Sequence, residues 1–196
     1  KNHPLCVLVT RKKNGGKGKA LADGVRKADE LGLTHVLQID SDGQHDAARV
    51  GHFVEVSKKN PDAIICAYPE YDESAPKHRV NGRTIANAWI HTVTLSKQIK
   101  DGMIGFRIYP VAPYVKLLNS HAIIDARMGY DIDILVRLFW KNVPVICESV
   151  KVTYPVDGVS NFRLVRDNAR ISLTYARLFL GMIVRLPILI FRKIKG

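Results

Sequence analysis

The chain has 196 residues, of which 46% are hydrophobic and 24% are charged, and it carries a formal net charge of +12. This apolar content excludes a mainly disordered chain, and the length suits one domain with a buried core. The three cysteines, Cys6, Cys66 and Cys147, lie far apart, which argues against a disulfide scaffold or a structural zinc site and favours a reducing compartment. The positive charge favours anionic partners: phosphates, nucleic acid or an anionic membrane surface.

Strands and helices alternate in the first third of the chain. Residues 5–10 form a short apolar, β-rich run that predicts a strand, and a glycine-rich basic loop then leads to a helix over about 19–31. A second strand is predicted at 35–39, a helix at 47–59 and a third strand at 63–67. This alternation predicts an α/β fold with a largely parallel sheet.

The middle of the chain is less regular. A helix is predicted at 80–97, and a turn that leads into a strand is predicted within 99–109. An amphipathic helix follows at 131–141. Two short apolar runs within 145–152 predict one more strand, either straight or bulged.

The last segment, residues 168–195, is predicted to be a long apolar helix with interspersed basic residues. These are Arg170, Arg177, Arg185, Arg192, Lys193 and Lys195. Its longest uncharged stretch, 178–184, is shorter than the roughly 20 residues that a bilayer span needs, and Pro187 should kink the helix. We therefore expect an interfacial helix with a cationic face on a membrane surface; a helix packed on the domain, or an oligomer contact, is the alternative.

An acidic cluster directly follows the predicted strand at 35–39. Asp40 and Asp42 are spaced i, i+2 at the carboxyl end of that strand, where open α/β sheets bind ligands. Such a pair can share one divalent cation, and the amide oxygen of Gln44 could complete its coordination. Hard oxygen donors suit Mg²⁺ or Mn²⁺, which in turn bind diphosphate oxygens. The alternative is a calcium-type turn or a merely polar turn.

A glycine-rich loop precedes the first predicted helix and consists of Asn14, Gly15, Gly16, Lys17 and Gly18. Glycines let a phosphate approach the backbone closely, the helix N-terminus offers free N–H groups, and Lys17 adds a positive charge. The spacing matches neither the Walker A loop nor the GxGxxG pattern. A flexible basic turn is the alternative interpretation.

Two further motifs complete an ordered set. DGMIGFRIYP occupies 101–110 and MGYDIDILVR occupies 128–137, after NGGKGKA at 14–20 and LQIDSDGQHD at 37–46. In this order, the four motifs resemble the family 2 glycosyltransferases of GT-A fold over about residues 5–165. The similarity is strongest to the dolichyl- or polyprenyl-phosphate sugar transferases and their bacterial lipid-modifying relatives.

The resemblance implies the fold and the domain organisation. It implies a GT-A-like, mostly parallel sheet flanked by helices over residues 1–165, followed by an amphipathic basic helix over 166–196. The chain opens with Lys1-Asn2-His3-Pro4, without an initiator Met or a signal-peptide pattern, and lacks the family's usual first strand. We therefore expect an N-terminally truncated domain in which that strand is missing.

The resemblance also implies roles for individual residues. The implied metal ligands are Asp40, Asp42 and Gln44. The implied donor-binding residues are Asn14, Gly15, Gly16, Lys17, Gly18, Asp40 and Asp42. The implied catalytic acids are Asp101, Asp131 and Asp133, one of which would act as a base. The implied acceptor- or phosphate-binding residues are Arg79, Arg83 and Arg107.

The function implied by the resemblance is metal-dependent, inverting transfer of a hexose from a nucleotide-sugar to a lipid-linked or membrane-proximal acceptor, such as a polyprenyl phosphate. We expect Mg²⁺ or Mn²⁺ as cofactor and a peripheral location on the cytoplasmic face of the membrane. A nucleic-acid-binding module is the first alternative, but no nucleic-acid-binding signature is present and the acidic cluster would repel a phosphate backbone. A nucleotidyltransferase, which also uses paired aspartates on Mg²⁺, is the second.

Overall fold

A computed structural model of the chain describes residues 6–40, 46–71, 77–152 and 164–195. Within these ranges, helices and strands follow one another as an α/β domain. The helices are α1 (Lys17–Glu30), α2 (Val50–Lys59), α3 (Lys77–Thr94), α4 (Val111–Leu118), α5 (Tyr130–Trp140) and α6 (Leu164–Lys195). The strands are β1 (His35–Gln38), β2 (Ile64–Tyr71), β3 (Arg107–Pro110) and β4 (Val145–Val152). A 3-10 turn, Ala47–Arg49, leads into α2.

The four strands form one mixed sheet in the order β1-β3-β2-β4. β3 runs antiparallel to both of its neighbours, with His35 opposite Pro110 and Ile65 opposite Ile108, whereas β2 and β4 are parallel. Three of the four strands therefore point in one direction and β3 returns between them. The predicted α/β, GT-A-like class is confirmed; the sheet, which was predicted to be mostly parallel, is mixed, and β2–β4 is its one parallel pair among the described strands.

Hydrophobic cores lie on both faces of the sheet. On one face, Phe53 of α2 packs with Ile65 of β2 and stacks on Phe106, with ring centroids 4.4 Å apart. On the other face, Ile64 and Cys66 of β2 pack beneath the remaining helices. Because alternate residues of β2 enter opposite cores, this strand reads as a continuous apolar run rather than as an alternating pattern.

Several predicted boundaries shift. Residues 6–10 were predicted within a strand, but they form none and are exposed, because no described strand pairs with them and β-propensity without a partner does not make a strand. α1 begins two residues before the prediction, with Gly16 at φ 87 as its N-cap. α3 ends before the prediction because Leu95 adopts φ 52. β4 pairs with β2 in unbroken register from Val145 to Val152, so it is straight rather than bulged.

The sequence analysis did not predict α4. Its sequence contains Pro113 in the first turn, where the missing N–H of proline has no intrahelical partner to lose. Val111, Tyr114 and Leu117 are the buried face of this helix. α4 packs against α1 and α5, so it helps to fix both helices of the site described below.

The long helix α6 packs on α3 and α5. Leu178 is fully buried in the shared core, and Pro187 lies inside the helix. The segment Arg166–Ile194 is long and apolar enough to cross a membrane, with a mean hydropathy of 1.7, although 28% of the most apolar part is buried against the protein.

Three of the six basic residues predicted to form a cationic face do not lie on the exposed side of this helix, whereas Lys193 is exposed. Arg177, Arg185 and Arg192 lie half-buried against the protein and contact Asp125, Trp140 and the end of α5, respectively. The exposed residues between 173 and 191 are all apolar instead. The spacing of the arginines, seven or eight residues, places them on one stripe, and that stripe faces α5.

Candidate active site

The glycine-rich loop is pressed against the segment that precedes α5. The amide of Gly18 donates to the carbonyl oxygen of Ala126 at 3.0 Å, and a Cβ at Gly16 would lie 2.6 Å from that same oxygen. A Cβ at Gly18 would lie 2.6 Å from Cγ of Tyr130. Asn14 accepts a hydrogen bond from the amide of Gly16 at 2.9 Å, which holds the loop in its turn. Glycine is therefore needed at positions 16 and 18 for the loop to pack this closely against Ala126 and Tyr130.

Lys17 stands at the start of α1 and bridges two carboxylates. Its Nζ lies 2.6 Å from Oδ1 of Asp40, at the carboxyl end of β1, and 2.9 Å from Oδ2 of Asp131, in the first turn of α5. Gln38, the last residue of β1, donates from Nε2 to Oδ1 of Asp131 at 2.7 Å. The side chains of these four residues converge at one edge of the sheet, and we call them the Lys17 cluster.

The Lys17 ammonium is electrostatically stabilised in this cluster. Burial alone would lower the pKa of Lys17, but the attraction of Asp131 and Asp40 outweighs that effect and raises the pKa above its ordinary value. Lys17 is therefore charged at neutral pH, and it neutralises part of the negative charge that the two aspartates bring together.

A buried arginine also fixes the position of Asp131. Arg107 is fully buried, and its Nη1 donates to the main-chain oxygen of Asp131 at 2.8 Å and to the hydroxyl of Tyr109 at 3.0 Å. Burial tends to lower the pKa of Arg107, but the nearby Tyr109, Cys66 and Asp131 raise it overall, so the guanidinium stays charged. The prediction set Arg107 on the acceptor side. The structure places it inside the core, where it fixes the start of α5.

Asp101 organises the turn before β3. Its Oδ1 accepts hydrogen bonds from the amides of Met103 and Ile104 at 2.9 and 2.8 Å. Its Oδ2 lies 3.4 Å from Nε of Arg83 and accepts from Asn87 of α3 at 3.4 Å. With both oxygens engaged and 1% of its surface exposed, Asp101 has the environment of a structural anchor rather than of the predicted proton acceptor.

Asp133 faces away from the Lys17 cluster. It is fully buried, it pairs with Arg137, and its Oδ2 accepts a hydrogen bond from the amide of Asp125 at 2.8 Å. Burial raises the pKa of Asp133, and the Arg137 guanidinium opposes that shift. Among the three predicted catalytic acids, Asp131 is the one that the structure brings to the cluster.

The predicted metal ligands are only partly within the described residues. Asp42 and Gln44 lie outside them, and so does the side chain of Arg79, whose backbone belongs to α3. Within the described ranges, no group of three potential His, Cys, Asp or Glu ligands converges. Asp40 nevertheless fits a divalent cation, because carboxylate oxygens suit Mg²⁺ or Mn²⁺ and because Asp40 and Asp131 already converge on one cationic group.

Gly105 lies directly against the Asp40 carboxylate of the Lys17 cluster. A Cβ at this position would overlap the carboxylate of Asp40. Gly105 and Gln38 were not among the predicted site residues. A polar residue that follows two apolar residues at the carboxyl end of β1 is the signal that would have pointed to Gln38.

Comparison with known proteins matches this chain to a family and to solved folds. The model of the family described as Glycosyl transferase family 2 matches residues 1–120. No curated protein matches the chain. Twelve chains of solved structures match it.

These structures include complexes of glucosyl-3-phosphoglycerate synthase from Mycobacterium tuberculosis. The complex with Mn²⁺ and uridine-diphosphate-glucose has a TM-score of 0.62 at 12% identity, over 88% of this chain and 56% of that one. The complex with phosphoglyceric acid has a TM-score of 0.61 at 14% identity, over 86% and 56%. The complex with Mn²⁺, uridine-diphosphate-glucose and glycerol 3-phosphate has a TM-score of 0.56 at 12% identity, over 87% and 55%. The chain thus spans little more than half the length of these neighbours, and the likeness is one of fold.

Proposed function

Since this chain belongs to glycosyl transferase family 2, we propose that it is a metal-dependent, inverting glycosyltransferase that uses a nucleotide-sugar donor. The observation that carries the proposal is the Lys17 cluster, where a lysine at a helix N-terminus and two aspartates meet at the carboxyl end of β1. A similarly folded enzyme has been solved with Mn²⁺ and uridine-diphosphate-glucose, which supports a divalent cation and a nucleoside-diphosphate donor here.

The donor diphosphate is proposed to bind beside the N-terminus of α1. The partial positive charge of a helix N-terminus and the Lys17 ammonium both favour a diphosphate at this position. Asp40, together with Asp42 and Gln44, would hold Mg²⁺ or Mn²⁺. The bound cation supplies charge neutralisation for the departing nucleoside diphosphate.

Asp131 is the proposed base if the acceptor is a hydroxyl. Its carboxylate is oriented by Gln38 and Lys17, and its main-chain oxygen is held by Arg107, so its position is fixed before any acceptor binds. In this role Asp131 would take the proton of the attacking hydroxyl. A phosphate acceptor is already anionic and would need no such proton transfer.

Arg83 is the described arginine that best suits an anionic acceptor. Its Nη1 is buried and has no hydrogen-bond partner among the described residues, while its Nε pairs with Asp101. A buried donor without a partner is costly, and a phosphate oxygen would satisfy it. This supports an acceptor that carries a phosphate, and a polyprenyl phosphate is the lipid-linked acceptor that we propose from the sequence resemblance.

Membrane contact through α6 is the remaining part of the proposal. The exposed residues between 173 and 191 are apolar throughout, and at 1.5 Å per residue this stretch is about 28 Å long. An apolar helix face of this length can insert along the membrane interface, parallel to the membrane surface, while the opposite face of α6 stays packed on α3 and α5. A peripheral location on the cytoplasmic face, aided by the net charge of +12, fits a lipid-linked acceptor.

The donor-binding proposal is tested with a matched pair of lysine variants. Mn²⁺-dependent binding of UDP, GDP and dTDP and transfer from their glucose conjugates are measured by calorimetry and product analysis. Lys17→Met should weaken binding of the preferred diphosphate about tenfold or more, because a charge-assisted contact is lost. Lys19→Met removes the same charge from an exposed neighbour and should change affinity less than about twofold.

Two results contradict this part of the proposal. One is equal behaviour of the two variants, and the other is a native chain that neither binds a nucleoside diphosphate nor releases one. Release of pyrophosphate instead would identify a nucleotidyltransferase.

The membrane proposal is tested by co-sedimentation with vesicles of phosphatidylcholine and phosphatidylglycerol. The variant Leu180→Ser/Val184→Ser should lose at least about tenfold in partitioning, since each apolar side chain contributes roughly 1.5 kcal/mol or more when buried. The control Leu8→Ser/Leu33→Ser changes two exposed apolar residues away from α6 and should partition as the native chain does. A native chain that stays in the supernatant, or equal partitioning of the two variants, contradicts membrane contact through α6.

A further inference from the structure

Asp125, in the segment between α4 and α5, contacts three parts of the molecule. Its Oδ2 accepts a hydrogen bond from Oγ1 of Thr174 in α6 at 2.9 Å, and Nη2 of Arg177 lies 3.6 Å from the same oxygen. Its Oδ1 accepts from the amide of Arg127 at 2.6 Å, which closes a local turn. Its own amide donates to the buried Asp133 of α5 at 2.8 Å. The position of this residue is therefore fixed jointly by α5 and α6.

The residue after Asp125 holds the glycine-rich loop. The carbonyl oxygen of Ala126 accepts the hydrogen bond of the Gly18 amide at 3.0 Å, and the Cα of Gly16 is packed directly against it. Lys17 lies between these two glycines and reaches Asp40 and Asp131. A displacement of Asp125 would therefore move the carbonyl group on which the start of α1 rests.

The segment before α5 is closely packed against α6, with little free space between them. A Cβ at Gly129 would lie 2.6 Å from Oγ1 of Thr174 and 3.2 Å from Cγ of Asp125. The Thr174 side chain is nearly fully buried, and its oxygen also receives a hydrogen bond from Arg177 at 3.1 Å. The single hydroxyl proton of Thr174 is within donating distance of Asp125 Oδ2 at 2.9 Å and of the main-chain oxygen of Arg170 at 3.1 Å, and the shorter distance favours Asp125, while the same oxygen accepts from Arg177. Because these groups are closely packed, a displacement of α6 also displaces Asp125.

We propose that Asp125 is a positioning residue that couples the position of α6 on the domain to the position of the Lys17 side chain. The coupling itself depends only on the contacts above. Its consequence for donor affinity rests on the proposed function. A change in α6, such as contact with a membrane, would then alter donor binding through Thr174, Asp125 and Ala126 without any direct contact between α6 and the donor.

Hydrogen exchange of the Gly18 amide tests the coupling without any donor. Thr174→Val removes the hydroxyl at nearly constant shape, and we expect Gly18 exchange to accelerate about tenfold, as for the loss of one hydrogen bond. Thr174→Ser keeps the donor and should exchange as the native chain does. Ser172→Ala, an exposed change on the same helix, is the matched control. The amide of the buried Ala28, later in α1, reports global destabilisation and should be unaffected.

Double variants and binding complete the test. If Thr174 acts through Asp125, Thr174→Val should add little to Asp125→Ala, because both remove the same contact. The affinity for Mn²⁺ with UDP should fall about tenfold in Thr174→Val and recover in Thr174→Ser. Unchanged Gly18 exchange in Thr174→Val, equal acceleration at Gly18 and Ala28, or full additivity of the two variants overturns the proposal. A native chain that binds no nucleoside diphosphate refutes the proposed function instead, and exchange still decides the coupling.

Discussion

The aspartates of this protein differ in role because their surroundings differ. Asp131 lies beside an ammonium group and an amide donor at the edge of the sheet, whereas Asp101 is bonded to two main-chain amides and to α3. Asp133 is fully buried against Arg137. A carboxylate whose oxygens are taken up by main-chain amides and a buried arginine stabilises the fold, whereas the oxygens of Asp131 are paired with the side chains of Lys17 and Gln38, in the cluster that also contains Asp40.

Gly105 gives a sharp prediction about Asp40. Gly105→Ala places a methyl group where the Asp40 carboxylate lies, so the carboxylate must turn away from Lys17. We expect Mn²⁺-dependent binding of a nucleoside diphosphate to weaken by about tenfold or more, since the contact with Lys17 and the proposed metal ligand are both displaced. Calorimetry with UDP, with and without Mn²⁺, measures the effect.

Gly24→Ala is the control for that variant. Gly24 lies inside α1 with open space around its Cα, so alanine should stabilise the fold by about 0.5–1 kcal/mol through helix propensity and leave binding unchanged. Native-like binding by Gly105→Ala would show that Asp40 does not take part in the site.

Among the elements, α6 shows how arginines can anchor an apolar helix to a domain. Arg185 stacks over the ring of Trp140, with its Cζ 4.7 Å from the ring centroid, and Arg192 donates to the main-chain oxygen of Trp140 at 3.0 Å. That oxygen is one of the carbonyl groups that α5 leaves without an intrahelical partner at its C-terminus. Arg185 and Arg192 of α6 are thus used within the domain, and the exposed residues of the helix between 173 and 191 are apolar.

Two leucines of α6 should therefore respond differently to truncation. Leu178 is fully buried and Leu180 is 63% exposed. Leu178→Ala should lower the free energy of unfolding by about 2–5 kcal/mol, because it leaves a cavity in the core. Leu180→Ala should change it by no more than about 0.5 kcal/mol.

Urea unfolding in the absence of lipid measures both values. Similar values for the two variants would show that α6 is not packed on α3 and α5 in the way described.

The whole molecule contains several phenol groups in apolar surroundings. Burial raises the pKa of Tyr109, Tyr114 and Tyr175, and it raises the pKa of Tyr130 to about 12. Burial also raises the pKa of the Cys66 thiol to about 12. An acid whose pKa is higher in the folded state binds its proton more tightly there, so its contribution to stability is complete at low pH. That contribution is lost as the pH rises from the unfolded value, about 10 for tyrosine, towards the folded value.

The protein should accordingly unfold cooperatively in alkali. We expect the free energy of unfolding to be flat with respect to these groups up to about pH 8, to begin to fall near pH 9 as the unfolded Cys66 thiol ionises, and to fall more steeply from about pH 10 to 12 as the unfolded tyrosines ionise. Urea titrations at several pH values, with tyrosinate absorbance recorded in parallel, measure this. Tyr130→Phe should make the decline shallower. Smooth ionisation of all tyrosines without loss of structure would contradict the burial of these side chains.

The local pattern of the chain was enough to predict the α/β class, most helices and strands, and the motifs of the family. Hydrophobic periodicity and turn-forming residues act over a few neighbouring positions, so they can be recognised without coordinates. The strand predicted at 5–10 and the missed helix α4 mark the limit of that pattern, because a strand needs a partner and a short helix depends on its neighbours.

The tertiary structure decided which side chains meet. Gln38 and Asp131 are 93 positions apart, and Arg107 is separated from the main-chain oxygen that it holds by 24 positions. No local pattern records such distances. It was likewise packing on α5 that turned the arginines of α6 inward and left its apolar residues exposed. Periodicity states that a helix has two faces, but only the shape and charge of the surface beneath it determine which face is buried.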